Sequence, residues 1–530
     1  MILTLILLPA AAALAAVLIR AHPVRRVLLV ATASAHAGLV AWLWVDPSRF
    51  PPMGSWLAVD GLGTLFLGIT SLLFLCVSFS AVGFLRRESG ATRADPEEGF
   101  IFDNTPEAVF TACLLVFLSA MTLVTASQHF GLLWVAIEAT TLASAPLIHY
   151  HRHHRSLEAT WKYLLICSVG IAFALLGTYF LAAAVRFGSG GISLTFDALR
   201  AGAAGLNAGW LKAAFLLLVV GYGTKMGLAP MHTWLPDAHS EAPSVVSALL
   251  SGALLNCAFL AILRILAVCS AAGLGVFGRQ TILVFGLVSM AVAAGLIIGQ
   301  PDYKRMLAYS SVEHMGILSV GIGLGGVGDW GALFHAVNHS LTKAALFLLA
   351  GNLLAAYGTK NSGDVKGALR TLPVTGALWI AGLFAILGAP PFGAFSSELT
   401  ILRAAVDTGS WVVVSAYSVL LAAIFAGMIT VLVRTAQGER GAVVVAVAAG
   451  RGGAAVGMPR GAVAAEMPRS TVAAKMPRST VAAVTSLAPR EPVLALAAPL
   501  VLLCLTGTLG VFIPGFLDSA LRRAVQLLGR

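Results

Sequence analysis

The sequence predicts an all-α polytopic membrane protein with about fourteen transmembrane helices. Three observations predict it. Of the 530 residues, 58% are hydrophobic and only 11% are charged, less than half the roughly 25% charged share of soluble domains. Apolar runs of about 20 residues, long enough to cross a hydrocarbon core, recur along the whole chain. The segments between them alternate between rich and poor in Lys and Arg, the pattern that orients inserted helices.

The predicted spans lie near residues 1–19, 27–45, 58–85, 107–126, 130–149, 163–185, 211–229, 243–269, 280–299, 306–325, 331–356, 373–404, 409–433 and 492–516. The first run lacks a basic leader region, so it reads as a span rather than a cleaved signal. One side of the membrane collects Arg20, Arg25, Arg26, Arg86, Arg87, Arg93, Arg152, Arg155, Lys162, Lys304, Arg305, Lys360, Lys366 and Arg370, with more in 434–490. The other side has Arg49, Arg186, Arg200, Lys212, Arg279, Arg522, Arg523 and Arg530. That bias puts both termini on the non-cytoplasmic side of a prokaryotic plasma (inner) membrane. It also accounts for the net charge of +11 without nucleic acid. The lipid bilayer is the implied partner surface.

Residues 438–490 contain the tandem MPRGAVAAE, MPRSTVAAK and MPRSTVAAV. Proline every nine residues blocks a continuous helix and the small side chains bury little. The expectation is a disordered cytoplasmic insertion, with Arg460, Arg469 and Arg478 spaced to meet anionic lipid as the alternative role. The cysteines, Cys76, Cys113, Cys167, Cys257, Cys269 and Cys504, fall singly in or beside apolar runs with no C-x-x-C. They read as small hydrophobes, not as iron–sulfur ligands or a disulfide framework.

An ionisable group at membrane depth costs several kcal/mol on insertion scales, so each one is a functional candidate. Glu138 lies roughly 10 Å into its run, too deep to snorkel, with Thr140 and Thr141 as local hydroxyl partners. Lys225 sits late in a run that breaks at Gly227 and Pro230, and irregular backbone survives at depth only inside protein or beside water. His335, His339 and Lys343 are spaced i, i+4, i+8, one polar stripe that must face a bundle or a wet channel. His pairs at i, i+4 also suit zinc, but no acidic or Cys partner lies on that helix, and no metal is expected. His314 lies within the preceding run as a relay candidate or a satisfied core histidine. Glu398 follows a second break, GAPPFGAF from Gly388 to Phe395. Paired broken helices with ionisable residues nearby mark transporter repeats. The polar loop of His232, Asp237, His239 and Glu241 is expected to cap and brace the first break.

Gly321, Gly323 and Gly326 fit G-x-G-x-x-G but end a membrane helix with no strand before it. No Walker loop, Cys cluster or nucleophile elbow is present in the sequence. No catalytic residue and no cofactor are expected, and redox chemistry would need other chains.

These residues carry a resemblance. KMGLAPMHTWLPDAHSEAP, DYKRMLAYSSVEHMGIL, NHSLTKAALFLLAG and GAPPFGAFSSELTIL resemble, in the same order, the proton-conducting subunits of respiratory complex I and the Mrp antiporters. The match spans about residues 105–435. HFGLLWVAIEATTLASAPL with SLEATWKYLLICSVGIAFALLGTYFLA is most similar to the component F branch of hydrogenase-4-type formate hydrogenlyase complexes. The resemblance implies fourteen helices with two inverted five-helix repeats, each holding a broken helix. It divides the chain into N-terminal helices 1–104, repeats 105–270 and 271–437, the insertion 438–490 and a C-terminal helix in 491–530. It implies a coupling pair Glu138–Lys225, central relay positions His339 and Lys343, the motif histidine His314 and the terminal acid Glu398.

Asn256 departs from the pattern, since many relatives carry a Lys there. An amide can hold water but does not change charge near neutral pH. The family's long lateral C-terminal helix is expected to be absent. The implied function is a proton-translocating subunit of a redox-driven complex of hydrogenase-4 or NADH-quinone oxidoreductase type. Its implied partners are other membrane subunits and peripheral redox subunits. The alternatives are a subunit of an Mrp-type Na+/H+ antiporter, the membrane subunit of an inorganic-carbon uptake complex, and a scaffold whose relay has decayed.

Overall fold

The computed structural model describes residues 1–88, 93–94, 101–188, 190–438 and 491–529. The insertion predicted at 438–490 lies outside the described residues apart from Gly438. Helices α1 (Ile2–Leu18), α2 (His22–Val45), α3 (Gly61–Glu88), α4 (Glu107–Ala126), α5 (Phe130–Ile148), α6 (His154–Arg186), the short α7 (Phe196–Ala201) and α8 (Ala208–Met226) lead to the first break. After it come α9 (Trp234–Glu241) and α10 (Ser244–Leu249), and a π turn (Leu250–Leu254) joins α10 to α11 (Leu255–Ala271). Then follow α12 (Gly275–Ile297), α13 (Tyr303–Leu324), α14 (Val327–Tyr357), the short α15 (Ala368–Thr371), α16 (Pro373–Ile386), α17 (Gly393–Asp407) and α18 (Trp411–Ala436). Two further helices, Val493–Val511 and Gly515–Gln526, end the described chain.

Every predicted run falls on helix, but not every helix qualifies as a span on its own. Among the described residues, 10 helices are long and apolar enough to cross a membrane, Ser244–Ala271 counting as one. α1 and α16 are apolar but shorter. α8 and α13 are diluted by polar and ionisable residues, Lys225 among them in the first and Lys304, Arg305, Glu313 and His314 in the second. The chain is therefore a multi-pass, all-α membrane protein.

The centre is the α10–α11 rod, buried almost throughout, with α14 packed on α10 and the π turn; α13, itself almost wholly buried, packs between α12 and α14 and meets the rod where Ser251 and Ser311 hydroxyls lie 2.8 Å apart. The rim is different. On α6, Leu157, Trp161, Leu165, Val169, Phe173 and Leu176 form an exposed apolar stripe. α18 likewise exposes Trp411, Val412, Val419 and Phe425. Such faces are covered by lipid or by a neighbouring subunit.

Both breaks are built alike. α8 ends at Gly227, left-handed at φ 86°, ahead of a cis Ala229–Pro230 bond. α16 ends before Gly388, at φ 66°, ahead of a cis Pro390–Pro391 bond. A proline cannot donate the next helical hydrogen bond, and glycine alone takes that backbone turn without strain.

Two features were not foreseen. Gly515–Gln526 is an amphipathic helix against α3 and α14, burying Leu517, Ala520, Leu521 and Ala524, with Trp330 Nε1 donating to Asp518 Oδ1 at 3.1 Å. Arg264, fully buried near the end of α11, donates to the carbonyls of Ser127 and Thr125 and pairs with Asp60 at 3.3 Å. It ties the central rod to the start of α3 and the α4–α5 junction. Arg264→Ala leaves Asp60 with only the Gly63 amide among the described residues, at 2.6 Å, and takes the donor from two carbonyls, a loss of up to about 3–5 kcal/mol by analogy with broken buried pairs. The expected readout is a clearly lower thermal midpoint in detergent; an unchanged midpoint would show the clamp to be dispensable.

Candidate functional site

At the first break the freed backbone groups find protein partners. Trp234 Nε1 donates to the Thr224 carbonyl at 2.8 Å, and the Ala229 amide donates to Ser289 Oγ at 2.9 Å. Behind this seal lies Lys225, on the last turn of α8 and fully buried. Its Nζ donates to Tyr163 Oη at 2.5 Å and to Thr141 Oγ1 at 3.0 Å. It lies over the Tyr163 ring, 4.4 Å from the centroid, where the ring quadrupole favours a cation. Tyr163 Oη and Ser144 Oγ are 2.6 Å apart.

Glu138 is half-buried and makes no direct ion pair with Lys225 among the described residues. Thr141 joins them, donating to Glu138 Oε2 at 3.0 Å while accepting from Lys225. The predicted pair is thus a carboxylate–hydroxyl–ammonium chain. Thr141 can do this because it sits one helical turn after Glu138 on α5, on the same face.

From here the polar row enters the central rod. Asn256 Nδ2 donates to the Gly252 carbonyl in the π turn at 3.0 Å and to Ser340 Oγ at 2.8 Å. The π turn aims that carbonyl at Asn256, a use of the extra residue common at functional sites. Ser340 adjoins His339. Asn256 Oδ1 and both His339 nitrogens accept or donate no hydrogen bond among the described residues.

The second centre gathers three helices. His314 on α13 and His335 on α14 are fully buried, with His314 Nδ1 and His335 Nε2 2.8 Å apart. The His339 ring centroid is 5.2 Å from that of His314. His335 Nδ1 contacts Ser397 Oγ on α17 at 2.8 Å, and Glu398 follows Ser397 directly. Lys343 Nζ donates to the Leu307 carbonyl at 2.7 Å. Ligand atoms of His314, His335 and Glu398 lie within 4.8 Å of one another, the one group among the described residues with metal-like proximity. The acid that the α14 stripe lacked comes from α17. The facing nitrogens of the two histidines are already hydrogen-bonded to each other, so the arrangement is that of a hydrogen-bonded chain rather than of two lone pairs aimed at an ion.

The loop residues divide. Asp237 pairs with Arg305 at 2.7 Å and Lys162 at 3.0 Å; Glu241 pairs with Lys360 at 2.7 Å. Lys304 Nζ donates to the Ser240 and Ala242 carbonyls at the end of α9, at 3.0 and 2.7 Å. His239 corrects the expectation that it braces this loop. It is fully buried, stacks on Phe347 with centroids 4.8 Å apart, and neither nitrogen hydrogen-bonds among the described residues. α9 turns that face inward, because Asp237 and Glu241 occupy its outer one. His232 is buried but exchanges no side-chain bond at Nδ1.

Sequence reasoning passed over Glu313, Tyr163, Ser144 and Ser397. Glu313 carried the right signal, an acid inside a predicted span, but was masked by the neighbouring His314. Tyr163, Ser144 and Ser397 are neutral and gave none.

Comparison with known proteins follows this geometry. The model of a transmembrane family described as NADH:quinone oxidoreductase/Mrp antiporter matches residues 127–425. The chain is 36% identical over 385 residues to the hydrogenase-4 component F homolog of Methylacidiphilum infernorum (isolate V4), covering 72% of this chain and 77% of that one. It is 30% identical over 383 residues to hydrogenase-4 component B of Escherichia coli (strain K12), covering 68% of this chain and 52% of that one, so it spans about half that relative's length. A chain of the membrane-bound sulfane sulfur reductase, an archaeal respiratory membrane complex, has the same fold, with TM-score 0.78 at 19% identity and coverage of 99% and 97%.

Tyr163→Phe removes the shortest bond on Lys225. An unpaired buried donor costs about 1–3 kcal/mol, so the variant should unfold at a lower temperature in detergent. A midpoint equal to that of the parent would show that this contact carries no energy.

Proposed function

Because the chain belongs to the NADH:quinone oxidoreductase/Mrp antiporter transmembrane family, we propose that it is the proton-translocating membrane subunit of a redox-driven complex of hydrogenase-4 type. The observation that carries this reading is the Glu138–Thr141–Lys225 chain behind the first break, with one hydroxyl touching both charged groups. In this reading Lys225 holds a proton while its ammonium donates to Tyr163 and Thr141, with the Glu138 carboxylate on the far side of the Thr141 hydroxyl. When Glu138 is neutralised or shifts, Lys225 releases its proton toward Asn256 and His339. Lys343, His314, His335 and Glu398 carry it to the second break, where Glu398 exchanges it with one aqueous side. Asn256 conducts through its amide and water without changing charge.

The chain contributes no redox group in this scheme. Neighbouring membrane subunits cover the apolar faces of α6 and α18, and peripheral redox subunits supply the driving reaction. The two similar breaks support a division into inverted repeats at 105–270 and 271–437. The Lys/Arg bias supports both termini on the non-cytoplasmic side. A second reading, a subunit of an Mrp-type Na+/H+ antiporter, is favoured by the family description itself, which covers both kinds of protein.

Two measurements test the proposal. Copurification in mild detergent should bring hydrogenase-like and iron–sulfur chains; recovery of small antiporter subunits would move the assignment to cation exchange. In liposomes carrying the full chain, a potassium potential set with valinomycin should drive proton entry, followed with a pH-sensitive dye. Lys225→Ala should reduce that flux by at least about a hundredfold, the usual scale for removing a positioned proton carrier. Full flux in Lys225→Ala would sink the proposal.

A further inference from the structure

We propose that Glu313 is a proton carrier between Lys343 and the His314–His335 pair, and that this pair is a hydrogen-bonded wire feeding Glu398. The inference rests on reading the buried row as a proton path and adds a group that neither the motif comparison nor the charge pattern had assigned.

Glu313 is 4% exposed, on α13. Its Oε2 accepts from Ser310 Oγ at 3.2 Å and lies 3.9 Å from His314 Nε2. Lys343 reaches the same helix, its Nζ donating to the carbonyl of Leu307, less than two turns before Glu313, at 2.7 Å. An acid placed between a buried Lys and a buried His pair has no structural necessity; a glutamine of the same shape would satisfy Ser310 equally.

The hydrogen bonds assign the direction of the wire. Ser397 Oγ donates to the Ala394 carbonyl at 2.8 Å and to the Gly393 carbonyl at 3.2 Å, so its single hydrogen is committed. It must therefore accept from His335 Nδ1–H, 2.8 Å away. His335 Nε2 is then the lone-pair nitrogen and accepts from His314 Nδ1–H. That leaves His314 Nε2 with a lone pair and no hydrogen-bond partner, facing Glu313. The pair is a receiver whose open end is the acid.

One proton moves as follows. The Lys343 ammonium protonates the Glu313 carboxylate and becomes a neutral amine. Glu313 gives that proton to His314 Nε2 and returns to carboxylate. The His314 Nδ1 proton crosses to His335 Nε2. His335 Nε2–H then passes its proton to the Glu398 carboxylate, an oxygen of which lies within 4.8 Å of a ring nitrogen of His335, a gap one water bridges. Both histidines end neutral, His314 as its Nε2–H tautomer, with two lone pairs facing each other, and the starting bond returns when water carries the His314 Nε2 proton round to Nδ1, a change of tautomer that leaves the proton count unchanged. The net change is one proton from Lys343 to Glu398.

The test uses the full chain in liposomes, with proton entry driven by the valinomycin potassium potential, on Glu313→Gln, Glu313→Asp and Lys225→Ala. Glu313→Gln should cut flux by at least about tenfold and Glu313→Asp should recover part of it, within the range for a positioned acid. Infrared difference spectra between low and high pH should lose one deuterium-sensitive carboxylic acid band in Glu313→Gln. Near-normal flux in Glu313→Gln beside a dead Lys225→Ala overturns the role of Glu313 and leaves the proton-path reading standing. Normal flux in both overturns the path as well. Lost flux with an unchanged carboxylic acid band makes Glu313 a packing residue and overturns its role as carrier.

Discussion

The whole architecture depends on one constraint: a titratable side chain at membrane depth must be given polar partners by protein. The penalty of several kcal/mol for leaving it in hydrocarbon cannot be met by lipid. Lys225 shows the solution. Its ammonium is held by two hydroxyls and an aromatic face, all from α5 and α6, and the helix that bears it ends at the next residue, Met226. The break lets the chain leave the helical path, and Trp234 closes the opening by taking the Thr224 carbonyl.

The arrangement of helices follows from the same constraint. α13 is buried almost throughout, and α8 is buried from Gly221 to Met226, the turns around Lys225, while its first half exposes Trp210 and Leu216 at the rim. The buried α10–α11 rod separates the two centres and carries only groups that stay neutral or clamped, Asn256 in its middle and Arg264 near its end. Charge at the loop mouth is handled differently. Asp237 reaches half-exposed Arg305, where water shares the work and the pair is worth little by itself, while Glu241 meets Lys360 in a largely buried contact. Those pairs hold the position of α9 more than they stabilise the fold.

Much of the fold was legible in the sequence, because hydropathy and the alternation of Lys and Arg follow from what a bilayer tolerates. Glu138, Lys225, His314, His335, His339, Lys343 and Glu398 stood out for the same reason. The neutral partners did not, since a Thr, Ser or Tyr in an apolar run costs little and raises no alarm. His239 was misread because an eight-residue helix between two prolines looks like a loop, and only its packing tells which face turns inward.

The sequence by itself determined that the chain crosses a membrane many times, where it breaks, and which ionisable residues it commits to the interior. These are local consequences of transfer energy and backbone chemistry. Only the tertiary structure decided how those residues connect. That Thr141 bridges Glu138 to Lys225 on another helix, and that Glu398 joins a histidine pair from two other helices, are contacts between helices distant in the chain. Their geometry is set by helix packing at the level of single ångströms, which no one-dimensional pattern contains.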